Sequence, residues 1–265
     1  MVKNSIILTS TYHDPELKLK DQLISAIPLL KTLFKYVIII LTPSMDRNSI
    51  SFLKEKGFIV KRCSIDSRVE TYKLAYKKAL EHVENKKIER IMYIDFDRLV
   101  HWINYHPDEL QELLSDIKVD YLHIGRTSRA FESHPNTQKE TEIIVNEFGS
   151  LILEFDATLD IISVCHIMTI ELATKILSVR NNTDYGFYST WPIHLWKWAA
   201  SKKYKEVEGL EWETPDRFKE EIEKFSYEKW LIKFQDSSEW RNRVYLLHQC
   251  LTELLDIINM NYTKK

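Results

Sequence analysis

Asp95-Phe96-Asp97 stands directly after a short apolar run, Ile91 to Ile94. Carboxylates are hard oxygen ligands. Two of them suit Mg2+ or Mn2+ and leave coordination positions open for water and phosphate oxygens. If the run is a strand that continues into the motif, residues two apart point to the same side, and Asp95 and Asp97 converge. A D-x-D arises by chance about once in a chain with this many aspartates, so its place counts for more than its occurrence. Arginines recur around it. Arg68 opens the helical segment before the motif, Arg98 follows it, and Arg126 and Arg129 follow the next apolar run. A planar guanidinium suits phosphate oxygens, although surface arginines also serve ordinary ion pairs.

The composition sets limits on other chemistries. The chain has 265 residues and only 5 glycines, with no two close together. There is no G-x-G-x-x-G turn, no phosphate loop of the G-x-x-x-x-G-K-[ST] type and no G-x-S-x-G elbow. Phosphates would have to be met by side-chain cations and a metal. A net charge of −2 argues against a nucleic-acid partner. Cys63, Cys165 and Cys250 are scattered and odd in number, which excludes a zinc motif or disulfide framework and suits a reducing, cytoplasmic setting. The longest clean apolar run, Val37 to Leu41, is far short of a membrane span.

The elements that must position these residues alternate in the first half. Strands are expected at Ser5–Thr9, Tyr36–Leu41, Phe58–Arg62 and Ile91–Ile94. Helices are expected after Asp14-Pro15, with Pro28 as a kink or break, at Asp46–Lys56 before Gly57, and at Asp66–Val83. Tyr36–Leu41 is apolar on both faces, as a doubly covered parallel strand requires. This rhythm predicts an α/β fold: a Rossmann-like, mostly parallel central sheet with helices on both faces. Its ligands would sit at the carboxyl ends of the strands.

The second half is less regular. It suggests a helix at Pro107–Ile117, a strand at Tyr121–Ile124 and a turn at His134-Pro135-Asn136. Residues 141–155 suit helix or strand, Ile161–Cys165 reads as a strand and Thr169–Val179 as a helix. An aromatic helix is expected at Trp191–Ala200 and a last strand within Lys205–Glu213. From Pro215 onward the chain reads as a C-terminal helical extension. Asp236 and Glu239 form a D-x-x-E capping pair, and Trp240, Val244, Leu247, Leu251, Leu254 and Ile258 form an apolar stripe. That stripe serves packing on the main domain or a surface for a homodimer.

ILTSTYHD, VIIILT and IMYIDFDRL, with looser matches at YLHIGRTSR and TDYGFYSTWPIHLW, resemble the GT-A family of nucleotide-sugar glycosyltransferases. The resemblance spans roughly residues 1–215. It implies a GT-A-like domain over 1–215, with a nucleotide-binding half (1–130) and an acceptor half (131–215), followed by the helical extension 216–265. It implies a nucleoside-diphosphate sugar as donor, an acceptor of unknown identity and Mn2+ or Mg2+ as cofactor. On the matching positions, Asp97 ligates the metal, and Asp95 contacts metal and ribose. Thr9, Ser10, Thr11 and Tyr12 meet the nucleotide, with Arg68 beside them. Arg98 and Arg126 are the phosphate-binding candidates. Asp184 is the candidate base or acceptor-binding residue.

Trp191 and His194 are acceptor-side candidates, but both also fit ordinary core packing. Two alternatives stay open. One is a haloacid dehalogenase-type phosphatase, which also uses D-x-D after a strand. The other is a non-catalytic sugar-nucleotide-binding module on the same scaffold.

Overall fold

A computed structural model describes residues 5–83 and 88–262. The first half alternates as the apolar pattern requires: β1 (Ile6–Tyr12), α1 (Lys20–Leu33), β2 (Tyr36–Leu41), α2 (Arg47–Glu55), β3 (Ile59–Arg62), α3 (Arg68–Leu80) and β4 (Arg90–Tyr93). There follow α4 (Phe96–Tyr105), α5 (Pro107–Ser115), β5 (Tyr121–Arg126), α6 (Ser128–Glu132) and α7 (Asn136–Ile152). The sheet is completed by β6 (His166–Thr169), α8 (Ile170–Ile176), α9 (Phe187–Trp198) and β7 (Lys202–Val207). The chain then forms α10 (Lys219–Phe225), α11 (Tyr227–Leu231) and the long α12 (Ser237–Tyr262).

The seven strands make one sheet in the order β3-β2-β1-β4-β6-β5-β7. Only β6 runs antiparallel to its neighbours. All the others therefore end on one rim. Strand alternation sorts the core into two layers. Val37, Ile39 and Leu41 of β2 pack toward α1, α4 and α5, and Ile38 and Ile40 toward α3, α8 and α9.

Several expectations need correction. β1 extends to Tyr12, so Ser10, Thr11 and Tyr12 lie in the strand and not in a loop beyond it. α1 runs through Pro28, which sits on the exposed side, where the carbonyl it leaves unpaired meets water. Asp14 caps the turn before α1 by accepting the N–H groups of Lys18 and Leu19, both at 3.0 Å. The ambiguous stretch 141–155 lies mostly in α7. Ile161–Ser163 is a short 3-10 turn, Val164 adopts a left-handed φ of 57°, and the strand begins only at His166. The apolar stripe of α12 packs within the chain: Leu246, Leu247, Cys250, Leu251 and Leu254 meet α7 and α9. Trp240 and Val244 stay exposed.

A buried charge cluster joins β5, α7 and the turn before β6. Arg126 is 3% exposed. It donates to both oxygens of Asp160 at 2.7 Å and to Glu142 Oε2 at 2.7 Å, and it lies over the Phe131 ring. Asn146 Nδ2 donates to Asp160 Oδ1 at 3.0 Å. Burial pushes the Asp160 carboxyl up, but the Arg126 charge and hydrogen bonds outweigh it and hold it at about 2.

That value lies below the unfolded value of about 3.9. The cluster's contribution is thus present above about pH 4 and is lost as the pH falls toward about 2. Asp160→Asn is expected to lower the unfolding free energy by about 3–5 kcal/mol, because it leaves a buried guanidinium short of a counter-charge. Denaturant unfolding at neutral pH checks this, and a loss under about 1 kcal/mol would contradict it.

Candidate functional site

The rim holds the D-x-D, but strand alternation is not what aims it. β4 stops at Tyr93, Asp95 takes the N-cap position of α4, and Asp97 lies in its first turn. A helix N-terminus favours negative charge, so the two carboxylates suit this junction. Asp95 Oδ1 accepts three hydroxyls: Thr11 Oγ1 at 2.9 Å, Tyr72 OH at 2.9 Å and Tyr93 OH at 3.0 Å. These come from β1, α3 and β4. Asp95 Oδ2 makes no hydrogen bond among the described residues. Asp97 Oδ1 accepts the backbone N–H of Arg98 at 3.0 Å, and Oδ2 receives Arg217 at 2.5 Å.

Asp95 opens onto a cavity of about 620 Å³. Arg68 and Arg98 line it too, so three of the sequence-predicted residues come together. Arg68 is exposed, and its guanidinium makes no ion pair or hydrogen bond among the described residues. Arg98 donates to Ser163 O at 2.8 Å, with Nε 3.5 Å from Glu213. The cavity further takes in Tyr185, Tyr188, Glu213 and Arg217, and from α12 it takes Asn242 and Arg243. Burial pushes the Glu213 carboxyl up and the charge of Asp97 adds to this, while Arg98 and Arg217 oppose it. Glu213 Oε2 is buried without a hydrogen bond.

Other predicted residues lie elsewhere. Thr9 donates to Ala75 O at 2.8 Å, Ser10 to Ile94 O at 2.5 Å and Tyr12 to Asp14 Oδ2 at 2.8 Å. Tyr12 is 2% exposed and packs edge-on to Phe96, so it offers no stacking face. The β1 hydroxyls brace the rim from below, and among them only Thr11 touches the motif. Arg126 is closed inside its cluster and does not reach the cavity. Arg129 is engaged by Glu208 and Glu211 on the surface. Trp191 is buried against Tyr76 and Phe187, and His194 stacks on Trp198 at 5.1 Å; neither lines the cavity.

Asp184 is placed close by, but its oxygens are engaged at the start of α3. They accept Ser67 Oγ at 2.5 Å, Arg68 N at 3.0 Å and Val69 N at 3.2 Å. Its loop is held in turn by α12. Glu253 Oε1 accepts the N–H groups of Asn182 and Thr183 at 3.0 and 2.8 Å, and Gln249 accepts that of Tyr185 at 2.8 Å. Gly186 permits this approach, because a Cβ there would lie 2.4 Å from Glu253 Cδ. Asp184 thus positions Arg68, and Tyr185 beside it faces the cavity.

Sequence reasoning did not single out Glu213, Arg217, Asn242 or Arg243. A usable signal existed for the first two. β7 is parallel to β5, so residues just past its end must reach the shared rim.

The donor set suits a divalent cation. Asp95 has an oxygen with no hydrogen bond among the described residues, Asp97 follows two residues on in the first turn of α4 but does not line the cavity, and Glu213 Oε2, buried without a hydrogen bond, lies 3.5 Å from Arg98 Nε. Among the described residues no cluster of three His, Cys, Asp or Glu could hold a cation, so water or phosphate oxygens would supply the remaining ligands.

The sheet order, the single reversed strand and the rim site define a GT-A-like, Rossmann-like fold. Solved structures of glucosyl-3-phosphoglycerate synthase from Mycobacterium tuberculosis share it. One superposes with a TM-score of 0.53 at 15% identity, covering 77% of this chain and 71% of that one. Two complexes of that enzyme with Mn2+ and UDP-glucose, one with glycerol 3-phosphate and one with phosphoglyceric acid, give TM-scores of 0.52 and 0.51. Each is at 16% identity and covers 77% of this chain and 70% of that one. No family model and no curated protein matches the chain.

Asp184→Ala is expected to cost about 1–2 kcal/mol, the range for losing an N-terminal helix cap. Chemical denaturation reads this directly. Unchanged stability would contradict the placement of Asp184 as a cap on α3.

Proposed function

We propose that this chain transfers a glycosyl group from a nucleoside-diphosphate sugar to an acceptor hydroxyl, with a divalent cation as cofactor. The observation that carries the reading is Asp95, braced at the carboxyl end of β4 and opening onto a cavity that arginines line. The fold neighbours support it, since they were solved with Mn2+ and UDP-glucose.

Asp95 and Asp97 would hold the cation, with Glu213 on the same cavity wall as Asp95 as a further oxygen donor. When bound, the cation supplies charge that offsets the negative charge building on the departing diphosphate. Arg68 and Arg98 are the fixed cations facing the same phosphates, and Arg68 is the freer of the two. Tyr185 and Tyr188 present aromatic rings to the cavity, as sugar and base faces favour. Asp184 acts through its hold on the start of α3 and on Arg68, in place of the base role expected from sequence. In this reading residues 1–130 serve the donor and 131–215 the acceptor. The segment 216–265 adds a wall through Asn242 and Arg243.

The phosphatase alternative expects its D-x-D on the first strand, whereas here it follows β4. The binding-module alternative differs in turnover and not in architecture.

Thermal unfolding with UDP or GDP, with and without Mn2+, tests the reading. A nucleotide at about 100 times its Kd adds about 2.7 kcal/mol. That corresponds to a rise of several degrees in a chain of this size. The rise is expected to need Mn2+ and to disappear in Asp97→Asn. If no nucleoside diphosphate shifts the transition with any metal, the proposed function fails. Release of nucleoside diphosphate from a nucleotide sugar then separates enzyme from binding module.

A further inference from the structure

The ion pair between Arg217 and Asp97 plays no part in the chemistry just described. Asp97 gives Oδ2 to Arg217 and Oδ1 to the Arg98 backbone N–H, so a cation approaching Oδ2 meets the guanidinium first. Arg217 belongs to a short 3-10 turn, Thr214–Phe218, that has no buried residue. His101 and Tyr105 of α4 hold this turn through Asp216, at 2.7 and 3.2 Å. The turn is tied by Asp216 and by Phe218 packing on Trp230 and Phe234, but with no fully buried residue of its own it opens at lower free energy than the sheet beneath it.

Two further observations make the guanidinium a replaceable occupant. Asp97, Glu213 and Asp14 all bear on Arg217, and without it these carboxylates would leave a strongly negative patch beside the D-x-D. Either a guanidinium or a divalent cation relieves that repulsion, and the divalent ion brings more charge in less volume. The seat is also imperfect, because Arg217 Nε is buried with no hydrogen-bond partner. A donor left unpaired in a half-buried site weakens the hold of the group that carries it.

We propose that Arg217 is a resident competitor for the divalent cation at Asp97: its guanidinium holds the carboxylate until a cation binds, and cation binding displaces it together with the 214–218 turn. This rests on the D-x-D being a cation site. A competitor of this kind lowers the apparent metal affinity by the fraction of molecules in which it has moved aside. It also links metal binding to the wall of the cavity, since Thr214 and Arg217 both line it and move together. Metal loading would then open the site for the donor as well as supply charge.

Mn2+ binding without nucleotide, followed by the loss of the free-ion electron paramagnetic resonance signal, tests the proposal. Arg217→Gln is expected to bind Mn2+ about tenfold more tightly than the unaltered chain, a typical size for one group coupled to another. Asp97→Asn is expected to lose the binding. Equal or weaker affinity in Arg217→Gln, with Asp97→Asn still inactive in binding, overturns the competitor role and leaves the cation site standing. Binding that survives Asp97→Asn overturns both. Hydrogen exchange on the unaltered chain avoids any effect of substitution on folding. Mn2+ is expected to speed exchange at residues 213–218, and protection or no change there, with the ion bound, overturns the proposal.

Discussion

The site depends on one carboxylate oxygen. Asp95 Oδ1 collects hydroxyl groups from β1, α3 and β4, three elements that the sheet topology brings to a single rim. Without those donors, an ionised carboxylate at the junction of β4 and α4 would be poorly solvated against the aromatic packing of Tyr72, Tyr93 and Phe187. With them the charge is held in place at the edge of the cavity, and its second oxygen makes no hydrogen bond among the described residues. The hydroxyl residues of β1 therefore serve geometry first. Thr9, Ser10 and Tyr12 spend their polar groups on backbone and on Asp14.

The rest of the architecture extends that logic outward. α12 docks on α7 and α9 through an apolar face, and its Glu253 and Gln249 then fasten the 181–186 loop. The loop presents Asp184 to the first N–H groups of α3, which fixes the backbone of Arg68. A chain of contacts thus runs from the C-terminal helix to a cation at the cavity mouth. A chain with 5 glycines has few positions for a backbone cradle, so the proposed phosphate recognition would fall to side chains that must each be held by others.

The parts legible in the sequence are those governed by local period. Tyr36–Leu41 reads as a doubly covered strand because its apolar residues serve both faces, and the α3 and β4 periods are equally plain. Gly57 marks the end of α2 with a φ of +86°, as a glycine after a helix promises. The start of β6 was less legible. Val164 reverses the backbone at φ 57° where no glycine signals it. Residue roles at the site were legible in type and neighbourhood but not in partner. Arg68 and Arg126 look alike along the chain, yet Arg126 meets Asp160, 34 residues away, and is sealed, while Arg68 stays free. Asp184 reaches α3 across 116 residues. Contacts at that range follow from the completed fold, and no local pattern encodes them.

The proposed role of Asp95 and Asp97 is to seat a divalent cation between the protein and a diphosphate. Anomalous scattering from Mn2+ in crystals grown with a nucleoside diphosphate locates the ion without reference to turnover. One peak is expected within coordination distance of Asp97 and of the diphosphate, with Arg68 on the phosphate side. A nucleotide bound in the cavity with no manganese at the D-x-D, or with manganese seated away from both carboxylates, would contradict it.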